Sequence, residues 1–243
     1  MTRLSAVICA LVVGVALIIC ALIISKPAME FVTAKKSITV TGSAKKQIRS
    51  DLIVWRSGFS RQSDDLGKAY AALKADLAVV KNYLVQRGIK ENEIVFQPVS
   101  TETIYATDPK TGMMTRQIAG YVLYQNLEVR SAEVDKIAEI SRSSTELIEK
   151  GIVFHSYPPQ YYYTKLNELK VDMLAEAAKD AMARAEKIAA ATGSRVGHLR
   201  AAKMGVFQIT PKDSTEVSDY GINDTSSLEK DITAVVNAEF AVQ

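Results

Sequence analysis

Residues 231–243, DITAVVNAEFAVQ, follow the two-residue period of a β-strand. One face carries the apolar side chains of Ile232, Ala234, Val236, Ala238, Phe240 and Val242. The opposite face carries Thr233, Asn237, Glu239 and Gln243. Because only one face is largely apolar, this stretch predicts a strand of a sheet that is covered on one side.

Three helices are predicted upstream of this strand, and each ends at a glycine. The first covers residues 63–87, with Ser63 as its N-cap and an apolar stripe at Leu66, Tyr70, Leu73, Leu77, Val80 and Leu84. The second covers residues 131–150, with Ser131 as its cap and with Val134, Ile137, Ile140, Ser144 and Leu147 facing inward. The third covers residues 166–192 and contains nine alanines, whose small side chains let a helix approach a sheet closely.

Strands are predicted between these helices at residues 38–42, 51–60, 93–107, 113–130, 152–155 and 196–209. A polar loop follows at residues 211–230. The element order is therefore ββαββαβαββ. Hairpins mixed with helices in this way predict an α+β fold, with largely antiparallel sheets covered by three helices.

The start of the chain predicts a membrane anchor. Residues 4–24 are apolar apart from Ser5 and carry no charge, and as a helix they would measure roughly 31 Å, close to the hydrocarbon thickness of a bilayer. The run is longer than the apolar part of a cleavable signal and ends at Ser25-Lys26-Pro27 without a small-x-small cleavage site. We therefore expect an anchor at residues 1–25, a stalk at residues 26–36 and one domain at residues 37–243.

The charge pattern leaves the orientation of this anchor open. Six basic residues face one acidic residue between positions 26 and 50, which suits either anionic lipid headgroups or a solvated linker. Counting basic residues on the two sides of the anchor slightly favours a cytoplasmic domain, whereas an apolar segment at the start of a chain favours export. From Asp51 onward the chain is mildly acidic and has no basic stripe, which argues against nucleic-acid binding.

The residues available for chemistry are few. Both cysteines, Cys9 and Cys20, lie in the apolar segment, so the rest of the chain has no disulfide, thiol nucleophile or cysteine metal site. The two histidines, His155 and His198, are far apart in sequence, and no catalytic or phosphate-binding motif is present. We therefore predict no catalytic, cofactor-binding or metal-binding residue, no cofactor and no enzymatic activity.

The segment YPPQYYY at residues 157–163 combines four tyrosines with two prolines, a composition that resists regular structure. Its tyrosines either pack over the end of the sheet, bind a partner or a carbohydrate, or form a subunit interface. The exposed face of the alanine-rich helix is a second candidate for close packing. The candidate interface residues are Tyr157, Tyr161, Tyr162, Tyr163 and Ala183.

Five stretches in order resemble the SIMPL-domain family of bacterial envelope proteins, which includes immunogenic outer-membrane-associated antigens and an oxidative-stress defence protein. They are SITVTG at 37–42 with the downstream Asp51, LVQRGIKENEI at 84–94, IAGYVLYQNLEVR at 118–130, AAKDAMARAEKIAAATGSRVGHL at 177–199, and ITAVVNAEFAV at 232–242. The resemblance covers residues 37–243. It supplies no catalytic residue.

This resemblance implies an exported domain, and hence a single-pass inner-membrane protein with its domain in the periplasm. It also implies ring-like or channel-like self-assembly and a link to stress defence. The sequence thus predicts a non-enzymatic, membrane-anchored protein that binds copies of itself and acts as a scaffold or stress-protective factor. The alternatives are a binding module for a protein, peptidoglycan or lipid partner, and an enzyme whose site no motif reveals.

Overall fold

The computed structural model describes residues 14–15, 18–20 and 36–243. No helix among these residues is long and apolar enough to span a membrane. Most of the predicted anchor at residues 4–24 lies outside the described residues, as does the predicted stalk apart from Lys36. The anchor and the stalk therefore stay predictions.

Residues 36–243 contain eleven strands and three α-helices. The helices are α1 (Leu66–Gln86), α2 (Val134–Ser143) and α3 (Leu166–Ala191), and two short 3₁₀-helices lie at Glu91–Glu93 and Ser144–Ile148. The strands are β1 (Ser37–Arg49), β2 (Leu52–Ser63), β3 (Ile94–Phe96), β4 (Ser100–Thr107), β5 (Met114–Ser131), β6 (Val153–Ser156), β7 (Gln160–Tyr162), β8 (Val196–Met204), β9 (Gln208–Pro211), β10 (Ile222–Asn223) and β11 (Glu229–Val242). The α+β class is confirmed.

The predicted element order ββαββαβαββ is wrong in detail, because the order within residues 36–243 is ββαβββαββαββββ. The predicted strand at 93–107 is broken at residues 97–99, where Pro98 has no N–H to donate to a neighbouring strand. The predicted strand at 196–209 is broken at residues 205–207. This break begins at Gly205, and glycine is a residue that weakens strands. The first strand is also longer than predicted, extending to Arg49.

The start of α1 corrects another prediction. Ser63 is not the N-cap, because β2 continues to Ser63, which pairs with Tyr121 of β5. The cap is Asp65, whose carboxylate accepts the N–H of Lys68 at 2.8 Å. The predicted apolar stripe is confirmed at Leu73, Val80 and Leu84, which are buried, but Leu66 and Tyr70 at the start of the helix are exposed.

The chain forms two compact units. One comprises the described residues up to Lys45 together with Leu169–Phe207 and Thr233–Gln243, and the other comprises Lys46–Glu168 and Gln208–Ile232. The second unit holds a six-stranded sheet of order β3-β5-β2-β6, in which β4 also pairs with β5 and β7 with β2. The strand pairs of this sheet, all within the described residues, are antiparallel.

One face of this six-stranded sheet packs on α1 and α2. Alternate residues of the central strands enter the core, among them Trp55 and Phe59 of β2 and Leu127 of β5. All five residues predicted to face inward from the second helix are buried, namely Val134, Ile137, Ile140, Ser144 and Leu147. The opposite face of the sheet carries Arg56, Asn126 and Glu128, because side chains alternate along a strand.

The other sheet has the order β1-β11-β9-β10, with β8 paired to β11. The predicted apolar face of β11 is confirmed at five of its six residues, since Ile232, Ala234, Val236, Ala238 and Phe240 are buried, whereas Val242 is half-buried. The pair of β9 and β10 is parallel, which makes this sheet mixed.

The alanines of α3 allow a close approach to β1. Ala177, Ala181, Ala185 and Ala189 form a fully buried stripe with a spacing of four residues. A Cβ atom placed on Gly42 of β1 would overlap the carbonyl oxygen of Ala177 and the amide nitrogen of Ala181. The glycine therefore lets the strand lie directly on the helix backbone.

Candidate functional site

The tyrosine segment at residues 157–163 is partly regular. The expectation that it resists regular structure is wrong for β7, which pairs with Leu52, Ile53 and Val54 of β2. Tyr161 packs against the core cluster of its unit, and its main-chain N–H donates to the carbonyl oxygen of Thr225 at 2.8 Å. Its role is therefore chiefly to fix β7 in place.

The remaining tyrosines of the segment have different surroundings. The hydroxyl of Tyr162 donates to Oε1 of Gln160 at 3.0 Å, and Tyr162 and Tyr163 are both half-buried. Tyr157 precedes β7 and is 55% exposed, while its main-chain N–H donates to the carbonyl oxygen of Arg56 at 3.1 Å. Of the four, Tyr157 offers the most ring surface to a ligand or partner.

Ala183 lies on the exposed side of α3, in the unit that does not contain the tyrosine segment. It lines a groove of about 580 Å³ between α3 and β1. The groove is completed by Thr39, Val40, Thr41, Arg184, Lys187 and Ile188. Because Ala183 has a short side chain and Ile188 is 49% exposed, the groove offers apolar surface at its base and side.

A carboxylate fixes the polar edge of this groove. Asp180 accepts hydrogen bonds from the main-chain N–H of Ser43 and from Nε of Arg184, both at 2.8 Å. The hydrogen bond from Ser43 is the main cause that lowers the pKa of Asp180, and Arg184 acts in the same direction. Lys187 makes no ion pair within the described part of the chain, so the groove carries a net positive charge.

A second exposed apolar surface was missed by the sequence reasoning. The segment 114–120 of β5 pairs, among the described residues, with β4 alone, and residues 114–119 are exposed on both faces. We call this two-stranded projection, residues 103–120, the arm. Its exposed apolar side chains include Met113, Met114 and Ile118. The signal in the sequence was the length of the predicted strand at 113–130, which exceeds that of its neighbour at 51–60.

The two histidines belong to different units and both are exposed. His155 lies on β6 opposite Gly58, and His198 lies on β8. Among residues 36–243 and the few described before them, no cluster of three or more His, Cys, Asp or Glu side chains is placed to hold a metal ion.

Comparison with known proteins places the chain in a family. The model of the family described as SIMPL, protein of unknown function (DUF541), matches residues 38–240. The chain belongs to the SIMPL family. The resemblance read from the five sequence stretches is thereby confirmed. No curated protein matches the chain.

Some solved structures are similar to part of this SIMPL protein. They include an amidase of the hydantoinase/carbamoylase family from Burkholderia phymatum (12% identity, TM-score 0.28, 58% of this chain and 36% of that chain). A putative amidohydrolase/peptidase from Burkholderia cenocepacia is 14% identical with a TM-score of 0.21, over 57% of this chain and 35% of that chain. A putative aminohydrolase from methicillin resistant Staphylococcus aureus is 16% identical with a TM-score of 0.22, over 59% and 38%. The SIMPL chain spans little more than a third of these proteins, and likeness at such TM-scores supports no conclusion about activity.

Proposed function

We propose that this SIMPL protein is a non-enzymatic, membrane-anchored envelope protein that self-assembles and acts as a scaffold or stress-protective factor. The observation that carries the proposal is the groove between α3 and β1, where Ala183 and Ile188 expose apolar surface beside a fixed polar edge. A helix face of small residues lets a partner backbone approach closely, and exposed apolar patches are common at protein interfaces.

The proposed anchor strengthens this argument. Residues 4–24 are apolar and uncharged, as a single membrane span requires. Holding every copy in one plane raises the local concentration of the domains, so that a weak contact between copies is sufficient for assembly. The proposed location is the inner membrane, with the domain in the periplasm.

Self-assembly is tested by the mass of the full chain extracted in a mild detergent, measured by size-exclusion chromatography with light scattering. We expect an oligomer for the wild type and a smaller species for Ala183→Glu, because the new carboxylate would be buried in the groove contact. The matched control is Ala175→Glu, an exposed alanine of the same helix that is rotated about 80° away around the helix axis.

Two results would contradict self-assembly through this groove. One is a wild type that stays monomeric at high concentration. The other is equal behaviour of the Ala183→Glu and Ala175→Glu variants. Both variants should retain the far-ultraviolet circular dichroism of the wild type, since neither alanine is buried.

The proposed topology has its own test. Protease added to intact spheroplasts should degrade the domain while leaving a membrane-bound fragment that contains residues 4–24. N-terminal sequencing of the mature protein should recover the start of the chain. A soluble product that begins near residue 28 would contradict the anchor.

A further inference from the structure

A cleft of about 490 Å³ lies on the six-stranded sheet, on the face that carries Arg56 and Glu128. Two short segments outside the strands flank it, and we call them breaks: residues 97–99 between β3 and β4, and residues 157–159 between β6 and β7. Gln97 lies in the break between β3 and β4, and Tyr157 and Pro158 lie in the break between β6 and β7. Its volume is within the range of small-ligand sites, about 300–1,000 Å³.

Both breaks are held to the central strands by main-chain hydrogen bonds. The N–H of Gln97 donates to the carbonyl oxygen of Asn126 at 2.8 Å, and the N–H of Tyr157 donates to that of Arg56 at 3.1 Å. The central strands β2 and β5 therefore present no free edge at the cleft, so an extended peptide has no strand with which to pair. The site suits a compact ligand.

The cleft is electrically balanced. Arg56 and Glu128 are the charged residues in its described lining, and they lie directly opposite each other in the strand register. Nε of Arg56 donates to Oε2 of Glu128 at 2.9 Å, and Nη1 of Arg56 donates to Oε1 of Gln160 at 3.0 Å. Because each charge is already paired, a charged ligand gains little here and a neutral ligand is preferred.

Amide side chains supply the unused hydrogen-bonding groups. The side chains of Gln97 and Asn126, and Nε2 of Gln160, make no hydrogen bond within the part of the chain that the structure describes. Asn126 lies over Gly58, where any Cβ atom would overlap its Oδ1. Amides both donate and accept, so they complement ligand groups that do the same, namely hydroxyls and amides.

The exposed ring of Tyr157 and the neighbouring Pro158 form one rim of the cleft. A flat aromatic ring beside several amides matches a sugar ring, which has an apolar face of C–H groups and an edge of hydroxyls. We infer that this cleft binds a neutral saccharide of one or two rings, with N-acetylated sugars favoured by their additional amide. This binding does not depend on self-assembly.

The test uses the full chain in detergent and saturation-transfer difference NMR with the β-1,4-linked dimer of N-acetylglucosamine. Saturable binding is expected, with the strongest signal from the sugar C–H face that stacks on Tyr157. Acetyl-Ala-Ala-Ala-amide and glucuronic acid serve as the neutral peptide and the charged sugar. Tighter binding of either one than of the dimer, or no saturable binding of the dimer, would overturn the inference.

Variants assign the binding to the cleft. Tyr157→Ala and Asn126→Ala should each weaken binding of the dimer about tenfold, through lost stacking and lost hydrogen bonds. The control is Tyr220→Ala, which removes a ring that is 97% exposed and does not line the cleft. Equal binding by the Tyr157→Ala and Tyr220→Ala variants, each folded by circular dichroism, would overturn the assignment.

A third variant tests charge balance directly. Glu128→Gln removes the partner of Arg56 but keeps a side chain of similar size. It should raise the affinity for glucuronic acid about two- to fivefold over the wild type, because the guanidinium is then free to pair with the ligand carboxylate. An unchanged affinity for glucuronic acid would contradict the role given to the pair.

Discussion

The ammonium group of Lys230 donates a hydrogen bond to the main-chain carbonyl oxygen of Tyr161 across 2.7 Å. The same Nζ donates to the carbonyl oxygen of Asp224. Lys230 is 3% exposed, and its burial lowers its pKa below the ordinary value of 10.5, while the charge of Asp224 acts in the opposite direction. One buried cation on β11 thus joins the tyrosine segment to the turn at Asp224.

Replacing this lysine should destabilise the protein without disturbing the rest of the sheet. Lys230→Met fills a similar volume but leaves the carbonyl oxygens of Tyr161 and Asp224 without their donor. We expect a loss of about 1–3 kcal/mol in the free energy of unfolding, measured by urea denaturation at neutral pH. An equal or higher stability of the variant would show that burying the charge costs more than its hydrogen bonds contribute.

The contribution of Lys230 to the stability of the protein should also depend on pH. Because the pKa of Lys230 is lower in the folded than in the unfolded protein, the unfolded state binds more protons between the folded value and 10.5. The contribution of Lys230 to stability therefore rises with pH through that window. The difference in unfolding free energy between wild type and Lys230→Met should grow as the pH is raised from neutrality towards 10.5. A constant difference would contradict the lowered pKa.

Adding a single methyl group at Gly42 should strongly lower the stability of the folded protein. In Gly42→Ala the new Cβ atom would overlap the backbone of α3 at Ala177 and Ala181, and a backbone cannot move aside as a side chain does. We expect a loss of about 1–3 kcal/mol, or failure to fold. The control is Gly67→Ala in α1, where the nearest obstacle is a carboxylate oxygen of Asp65 at 3.2 Å and stability should change by less than about 1 kcal/mol. Equal effects would contradict the close packing.

The contact between Gly42 and α3 shows which features of the fold the sequence could predict and which it could not. Alternation in β11 and the nine alanines of α3 are local patterns, and both predicted their elements correctly. The role of Gly42 depends on a helix that begins more than 120 residues later, so no local pattern contains it. The strand breaks were missed for a similar reason, because the sequence does not show that the paired strands end at Phe96 and at Met204.

The candidate sites were harder to predict than the fold. The tyrosine segment stood out by composition, yet only the pairing of β7 with β2 shows that Tyr161 faces the core whereas Tyr157 is exposed. The balanced cleft could not be anticipated at all. Arg56 and Glu128 are brought together by the register of two strands, which the sequence does not state.

An ion pair between strand and helix, in which the carboxylate is buried and the guanidinium is half-buried, should also affect stability. Asp76 of α1 is buried and accepts two hydrogen bonds from Arg61 of β2, one of them from Nη2 at 2.7 Å. The hydrogen bond to Asp76 is the main cause that raises the pKa of Arg61. Asp76→Ala should cost about 1.5–3 kcal/mol in thermal or urea unfolding, because it leaves the guanidinium without its partner.

An exposed pair provides the comparison for this effect. Arg49 and Asp135 also form a close ion pair, at 2.6 Å, but both side chains are more than half exposed to water. Asp135→Ala should change stability by no more than about 1 kcal/mol, since exposed pairs are weak. A larger loss for Asp135→Ala than for Asp76→Ala would contradict the importance of burial.

We predict that self-assembly protects the arm at residues 103–120 from hydrogen exchange. A two-stranded hairpin alone in water is marginally stable, and Met113 and Met114 are each more than 70% exposed. We expect assembly of the full chain to cover the arm, so its amide hydrogens should exchange more slowly as the protein concentration rises. Replacing Met113, Met114 and Ile118 by Ser, Ser and Thr should reduce both this protection and the mass of the assembly. The melting temperature of the domain should stay unchanged, because these side chains are outside the core.

The control for the arm is a pair of substitutions in the polar loop, Val217→Thr and Tyr220→Ser, which remove apolar side chains that are even more exposed. If assembly depended only on the total exposed apolar surface, both sets of substitutions would lower the mass. If it depends on the arm, only the first set will, because a hairpin can add its pairing edge and its two faces to a neighbouring copy whereas the loop offers neither. If the hydrogen-exchange rate of the arm amides does not change with protein concentration, the arm is not part of the contact between copies.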